Sequence, residues 1–139
     1  MSSKKSAADA NPVLIEVGPG ELIDKITILR IKSERMADAA KLANVRHELA
    51  VMEEARRANL DDSAEMRRLE GALKSVNEAL WTIEDDIRQC EADKDFGATF
   101  VALARSVYKQ NDKRAAIKKE INLLTGSAIV EEKSYAAFE

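Results

Sequence analysis

The chain has 139 residues, of which 45% are hydrophobic, 34% charged and 4% aromatic, with five glycines and two prolines. That size holds one domain around one core, and many charges with few aromatics and few chain breakers favour long helices over a sandwich or barrel. The 22 basic and 25 acidic side chains interleave to a net charge of -3, so there is no basic field to collect phosphates and no nucleic-acid partner is expected.

Residues 1–11 read as a disordered tail: the two lysines near its start are followed by no apolar run of signal-peptide length, because Glu16 interrupts Val13-Leu14-Ile15. Residues 12–17 are β-prone and predict a short strand or extended arm, ended by Gly18-Pro19-Gly20. A first helix follows from about Gly20 to Ala37, with Glu21 and Asp24 near its start, where carboxylates complement the helix dipole. Leu22, Ile26, Leu29 and Met36 form one apolar stripe, while Ile23, Ile28 and Ile31 carry apolar surface onto other faces. A helix apolar beyond one stripe is enclosed on more than one side, so this one is expected at the centre of the fold or at a subunit interface.

The apolar phase slips after Met36 and resumes at Leu42, Val45, Leu49 and Met52, which predicts a kink or turn near Asp38, a residue able to cap the next helix. That helix ends around Arg57 to Asn59, and Asp62 with Glu65 forms a capping-box pattern at the start of a third. Met66, Leu69, Leu73, Val76, Leu80, Ile83, Ile87 and Cys90 then repeat at three-four spacing without a miss, the mark of coiled-coil-like packing. Such a seam cannot offset the entropy of ordering its own helix alone, so it requires partner helices. Gly71 sits inside it, at about 1 kcal/mol relative to alanine.

Lys94 to Gly97 closes the third helix, and Phe100, Leu103, Val107, Ile117, Ile121 and Leu124 mark a last helical region interrupted by Gln110 and Arg114. It is either one helix over about 97–125 or two divided at Asn111-Asp112, with Gly126 as its stop. Residues 128–131 read as extended and suited to pair with 12–17; residues 134–139 read as a tail. The expected fold is all-α: one domain over 12–133, an antiparallel helical bundle of long coiled-coil-like helices with short extended arms. No stretch approaches the roughly 20 apolar residues of a membrane span, and no membrane partner is expected. Cys90 as the lone cysteine suits a reducing compartment, the cytoplasm.

Two stretches, Gly20-Glu-Leu-Ile-Asp-Lys-Ile-Thr-Ile-Leu29 and Asn111-Asp-Lys-Arg-Ala-Ala-Ile-Lys-Lys-Glu-Ile-Asn-Leu-Leu-Thr-Gly-Ser127 with the trailing Val130 to Tyr135, resemble a family of small bacterial α-helical proteins of unknown function. The resemblance covers about residues 12–136; it implies a bacterial origin and supplies no catalytic residue.

On one helix Tyr108, Asn111, Ala115, Lys118 and Asn122 share a face, a phenol, amides and an ammonium beside a small alanine, able to take an anionic small molecule or to fix register between helices. Lys25, Lys32 and Arg35, with Glu21, line a charged stripe of the first helix; facing the Asn111 stripe it would make a cationic pocket, and otherwise it is solvated or paired. Trp81 flanks the seam and is expected to extend the core or anchor a partner. Glu84-Asp85-Asp86 with Glu91 lacks the paired spacing of an all-α magnesium site, and the lone His47, read as exposed, is in no di-iron unit, so no metal or cofactor is expected. Cys90 in its seam reads as an inert thiol, and Gly18-Pro19-Gly20 lacks the lysine and hydroxyl of a phosphate loop.

The expected function is a non-enzymatic helical protein–protein interaction or scaffolding module acting as a homodimer, with Trp81, Ile23, Ile28 and Ile31 as interface candidates. The alternative is a small all-α enzyme or ligand-binding protein with a cationic pocket for a small anionic metabolite between the first and last helices.

Overall fold

The computed structural model describes residues 11–134 and 137 and contains four helices: α1 (Pro19–Arg35), α2 (Ala39–Asn59), α3 (Ala64–Ala92) and α4 (Ala98–Leu124). The tails expected over 1–11 and 134–139 lie, apart from residues 11, 134 and 137, outside the described residues. Local signals fix most helix ends. Pro19 opens α1 at its first position, where the missing N–H costs nothing. Asp38 accepts from the Ala40 N–H at 3.1 Å, so the phase slip after Met36 is a true break that starts α2. At α3 the cap is Ser63, whose Oγ accepts from the Met66 N–H at 3.0 Å, and not Asp62 as the capping-box spacing predicts. Gly126, at φ 68°, takes the left-handed turn beyond α4, which runs unbroken through Asn111-Asp112.

α1 is the central element and touches each of the other three helices. Leu22, Ile23, Ile26, Met66, Leu69, Leu73 and Ile121 form the core, with Leu49, Met52, Ala55, Leu60 and Ile117 packed around it. α2 lies along α1, and an Arg30–Glu53 contact and the Glu70 carboxylate, shared by Arg30 and Arg56, tie α1, α2 and α3 together. α1 lies across α3 between Met66 and Trp81 and across α4 between Arg114 and Asn122, as its partners Asn77, Arg114 and Lys118 show.

Beyond that crossing, α3 and α4 continue as a two-helix hairpin. Its loop places Lys94 at φ 55°, and the Asp95 N–H donates to the Cys90 carbonyl at 2.9 Å. In this distal half Ile83 and Ile87 of α3 and Phe100, Leu103 and Val107 of α4 are only half-buried and Cys90 alone of the seam is enclosed, whereas Met66, Leu69 and Leu73 of the near half are all enclosed. A two-stranded seam leaves its flanks in water unless a further helix covers them.

The arms form no strand and no ladder among the described residues: 12–17 and 129–131 are coil, with a bend at Ala128. Their roots are neighbours, since a Cβ on Gly18 would meet the Ile129 carbonyl at 3.2 Å, but Val13, Leu14 and Ile15 stand exposed. The pairing suggested by their β-prone composition fails because two short segments with no third strand have no face to bury.

Candidate functional site

The notable polar chemistry lies at the crossing of α1 with α3 and α4. Gly20 lets the two helices meet: its N–H donates to Asn122 Oδ1 at 2.8 Å, and a Cβ there would stand 2.5 Å from the Lys118 carbonyl oxygen. One turn on, Lys118, almost fully buried, donates to Glu21 at 2.7 Å and to Glu131 of the C-terminal arm at 2.8 Å. Burial pulls its ammonium down, but the hydrogen bonds to Glu131 and Glu21 outweigh that and hold the group above the ordinary lysine value. The same ammonium holds the Glu131 carboxyl below its ordinary value.

Asp24 and Thr27, one turn apart on α1, are both wholly enclosed. Arg114 grips both Asp24 oxygens, with Nε at 3.0 and 3.1 Å and Nη2 closer still, and the Asp24 hydrogen bond raises the guanidinium above its ordinary value. Asn77 Nδ2 donates to Asp24 Oδ1 and Thr27 Oγ1, both at 2.9 Å, and the Thr27 hydroxyl donates to the Asp24 carbonyl at 2.8 Å. Fixed hydrogen bonds of this kind offset the desolvation of a buried carboxylate.

Lys25, Lys118 and Asn122 come together around the first turns of α1, where Lys25 and Lys118 share Glu21; the Lys25 contact is loose, at 3.7 Å. Lys32 is half-buried farther along α1, and Arg35 sits at its end, 3.7 Å from Glu78 and 5.8 Å over the Trp81 ring. Arg35 is ten positions from Lys25, about 15 Å of helix, so these cations do not close on one ligand. Asn111 is half-buried, and Tyr108 is exposed on the distal half of α4. Of the interface candidates, Ile23 and Ile31 are enclosed in the chain's own core; Ile28 and Trp81 are half-buried and line a cleft with Asn77 and Arg114.

Sequence reading missed Asp24, Thr27, Asn77 and Glu131. The available signal was a polar residue directly beside each apolar run: Asp24 beside Ile23, Asn77 beside Val76. Arg114 registers only as an interruption of its seam, although it is the partner that Asp24 needs. No group of three His, Cys, Asp or Glu side chains suited to a metal forms among the described residues. Nor is any helix long and apolar enough to cross a membrane among them. Burial, and after it Asp95, Asp93 and Asp86, pushes the Cys90 thiol up, which disfavours the nucleophilic thiolate.

Residues 20–29 and 111–127 are packed against each other at this crossing. No curated protein and no solved structure matches the chain. The sequence pattern of a family of unknown function (DUF6165) matches residues 13–138, and the chain belongs to that family.

Proposed function

We propose that this chain is a helical protein–protein interaction module that works as a homodimer, joined through the distal half of the α3–α4 hairpin. The observation that carries the reading is the half-buried seam of Ile83, Ile87, Phe100, Leu103 and Val107, flanked on α4 by the exposed Val101 and Tyr108. Such contiguous apolar surface on one side of a molecule marks a contact site.

Charge complementarity favours a second copy as the occupant. From Trp81 to Asp93, α3 and its cap carry Glu84, Asp85, Asp86, Glu91 and Asp93 against a single Arg88, whereas α4 from Ala98 to Asn111 carries Arg105 and Lys109 and no carboxylate. Asp85, Asp86, Arg105 and Lys109 form no ion pair among the described residues. A two-fold axis across the hairpin sets the acidic α3 of one copy against the basic α4 of the other, the self-complementary arrangement an isologous dimer needs. The polar cluster on α1 then has an architectural role, locking the base of the hairpin to the core. The reading sets the module in a bacterial cytoplasm, supported by the family resemblance and the lone Cys90.

Sedimentation tests it. The parent chain is expected to sediment as a dimer at micromolar concentration, and Ile87→Glu with Leu103→Glu to give a folded monomer, because neither residue belongs to the core around Leu22, Ile26 and Leu73. A parent chain that remains monomeric at that concentration overturns the proposal.

A further inference from the structure

A cleft of about 190 Å³ opens between α1, α3 and α4, walled by Ile28, Ile31, Leu80 and Trp81, with Asn77 and Arg114 as its polar side. Both polar residues keep unused capacity. Asn77 gives its Nδ2 hydrogens to Asp24 and Thr27, which leaves the Oδ1 acceptor. Arg114 commits Nε and Nη2 to Asp24, which leaves the two Nη1 donors. Neither Oδ1 nor Nη1 has a hydrogen bond among the described residues, and no enclosed side-chain nitrogen or oxygen lacks a partner among them. Both atoms are therefore open to solvent, and the cleft is the cavity that the two residues jointly line.

Asp24 already neutralises Arg114, so the cleft offers donors and an acceptor without net positive charge, and a bare anion there would meet the Asp24 carboxylate as well as the guanidinium. The volume accommodates roughly six waters by their share of the liquid, or one small organic molecule. Three aliphatic walls and an indole, steadied by Arg35 at 5.8 Å from its centroid, suit a flat apolar body. We infer that this cleft binds a small neutral molecule with a planar apolar body ending in a primary carboxamide: the carbonyl accepts from Arg114 Nη1 and the amide N–H donates to Asn77 Oδ1.

Trp81 is the only tryptophan, so its fluorescence reports on the cleft directly. The full chain is titrated with benzamide, with acetophenone, which keeps the carbonyl and lacks the N–H, and with benzoate, which is charged. Expected are a saturable Trp81 response to benzamide, about tenfold weaker binding of acetophenone for the lost hydrogen bond, and benzoate weaker than benzamide. Ile28→Phe fills the cleft while Asp24, Asn77 and Arg114 stay unsubstituted, and is expected to abolish the benzamide response while leaving sedimentation unchanged; should it not fold, Leu80→Phe fills the cleft from the opposite wall. No saturable response to benzamide, equal affinity for all three compounds, benzoate tighter than benzamide, or an undiminished response in the folded filled variant overturns the inference. The titration is repeated on the chain carrying Ile87→Glu with Leu103→Glu, so that loss of the dimer and loss of the ligand site are told apart.

Discussion

At Gly20 the backbone of α1 lies so close to α4 that a Cβ would stand 2.5 Å from the Lys118 carbonyl oxygen, a backbone atom that cannot step aside. Gly20→Ala is expected to lower the unfolding free energy in urea by about 1–3 kcal/mol, the usual cost of forcing an added carbon into a closed contact. Gly71 has the opposite setting: it is exposed within α3 and a Cβ there meets nothing within 4 Å, so Gly71→Ala should raise stability by about 0.5–1 kcal/mol in the same assay. The contrast separates a glycine needed for close approach from one that only weakens its helix. Glu131 adds a pH signature. Its carboxyl is held low in the folded chain by Lys118, so its stabilising contribution is complete above the ordinary carboxylate value and disappears as pH falls through the depressed one. Parent and Glu131→Gln chains should therefore differ in urea midpoint at neutral pH and converge in acid; a gap of constant size at every pH would show that the Lys118 contact contributes nothing through charge.

The elements were legible in the sequence wherever one rule governed them. The ladder from Met66 to Cys90 gave α3, and the slip after Met36 gave the break capped by Asp38, because apolar period and capping are local. Of the two readings of residues 12–17, strand or arm, the strand does not form, since β-prone composition specifies no partner strand. The polar crossing was out of reach for another reason: Asp24 and Arg114 are 90 residues apart, and each alone looks like an ordinary charged position on a helix. Lys118 and Asn122 did stand out as one face with Tyr108 and Asn111, but the carboxylate on the opposing helix and Glu131 on the arm are set by the packing. At the α3–α4 loop the fold accepts a local cost, with Lys94 held at φ 55° between the Asp93 cap and Asp95. A left-handed residue with a Cβ is disfavoured by roughly 1–2 kcal/mol. Lys94→Gly relieves that but loosens the unfolded chain, so a net gain of up to about 1 kcal/mol is expected in thermal or urea unfolding.

For the whole molecule, the decisive asymmetry is that the core encloses the near half of the α3 seam, while Ile83 and Ile87 of the far half stay half-buried beside α4. A dimer joined there by acidic α3 against basic α4 has a consequence that no purely apolar contact shares. Reversing one side, with Arg105→Glu and Lys109→Glu, faces like charges across the two-fold axis and should weaken association; reversing the other as well, with Asp85→Lys and Asp86→Lys in the same chain, restores opposite signs at both ends and should recover it. Exposed pairs contribute about 0.2–1 kcal/mol each, so two pairs repeated by symmetry predict a shift of roughly half to three orders of magnitude in the dissociation constant. At about 1 M salt the screening length shrinks to roughly 3 Å and all three chains should associate alike, through the apolar seam alone. Sedimentation of the three chains at low and high salt reads both effects. If the doubly reversed chain dissociates as readily as the singly reversed one, α3 does not face α4 across the axis, and the copies must meet through another surface.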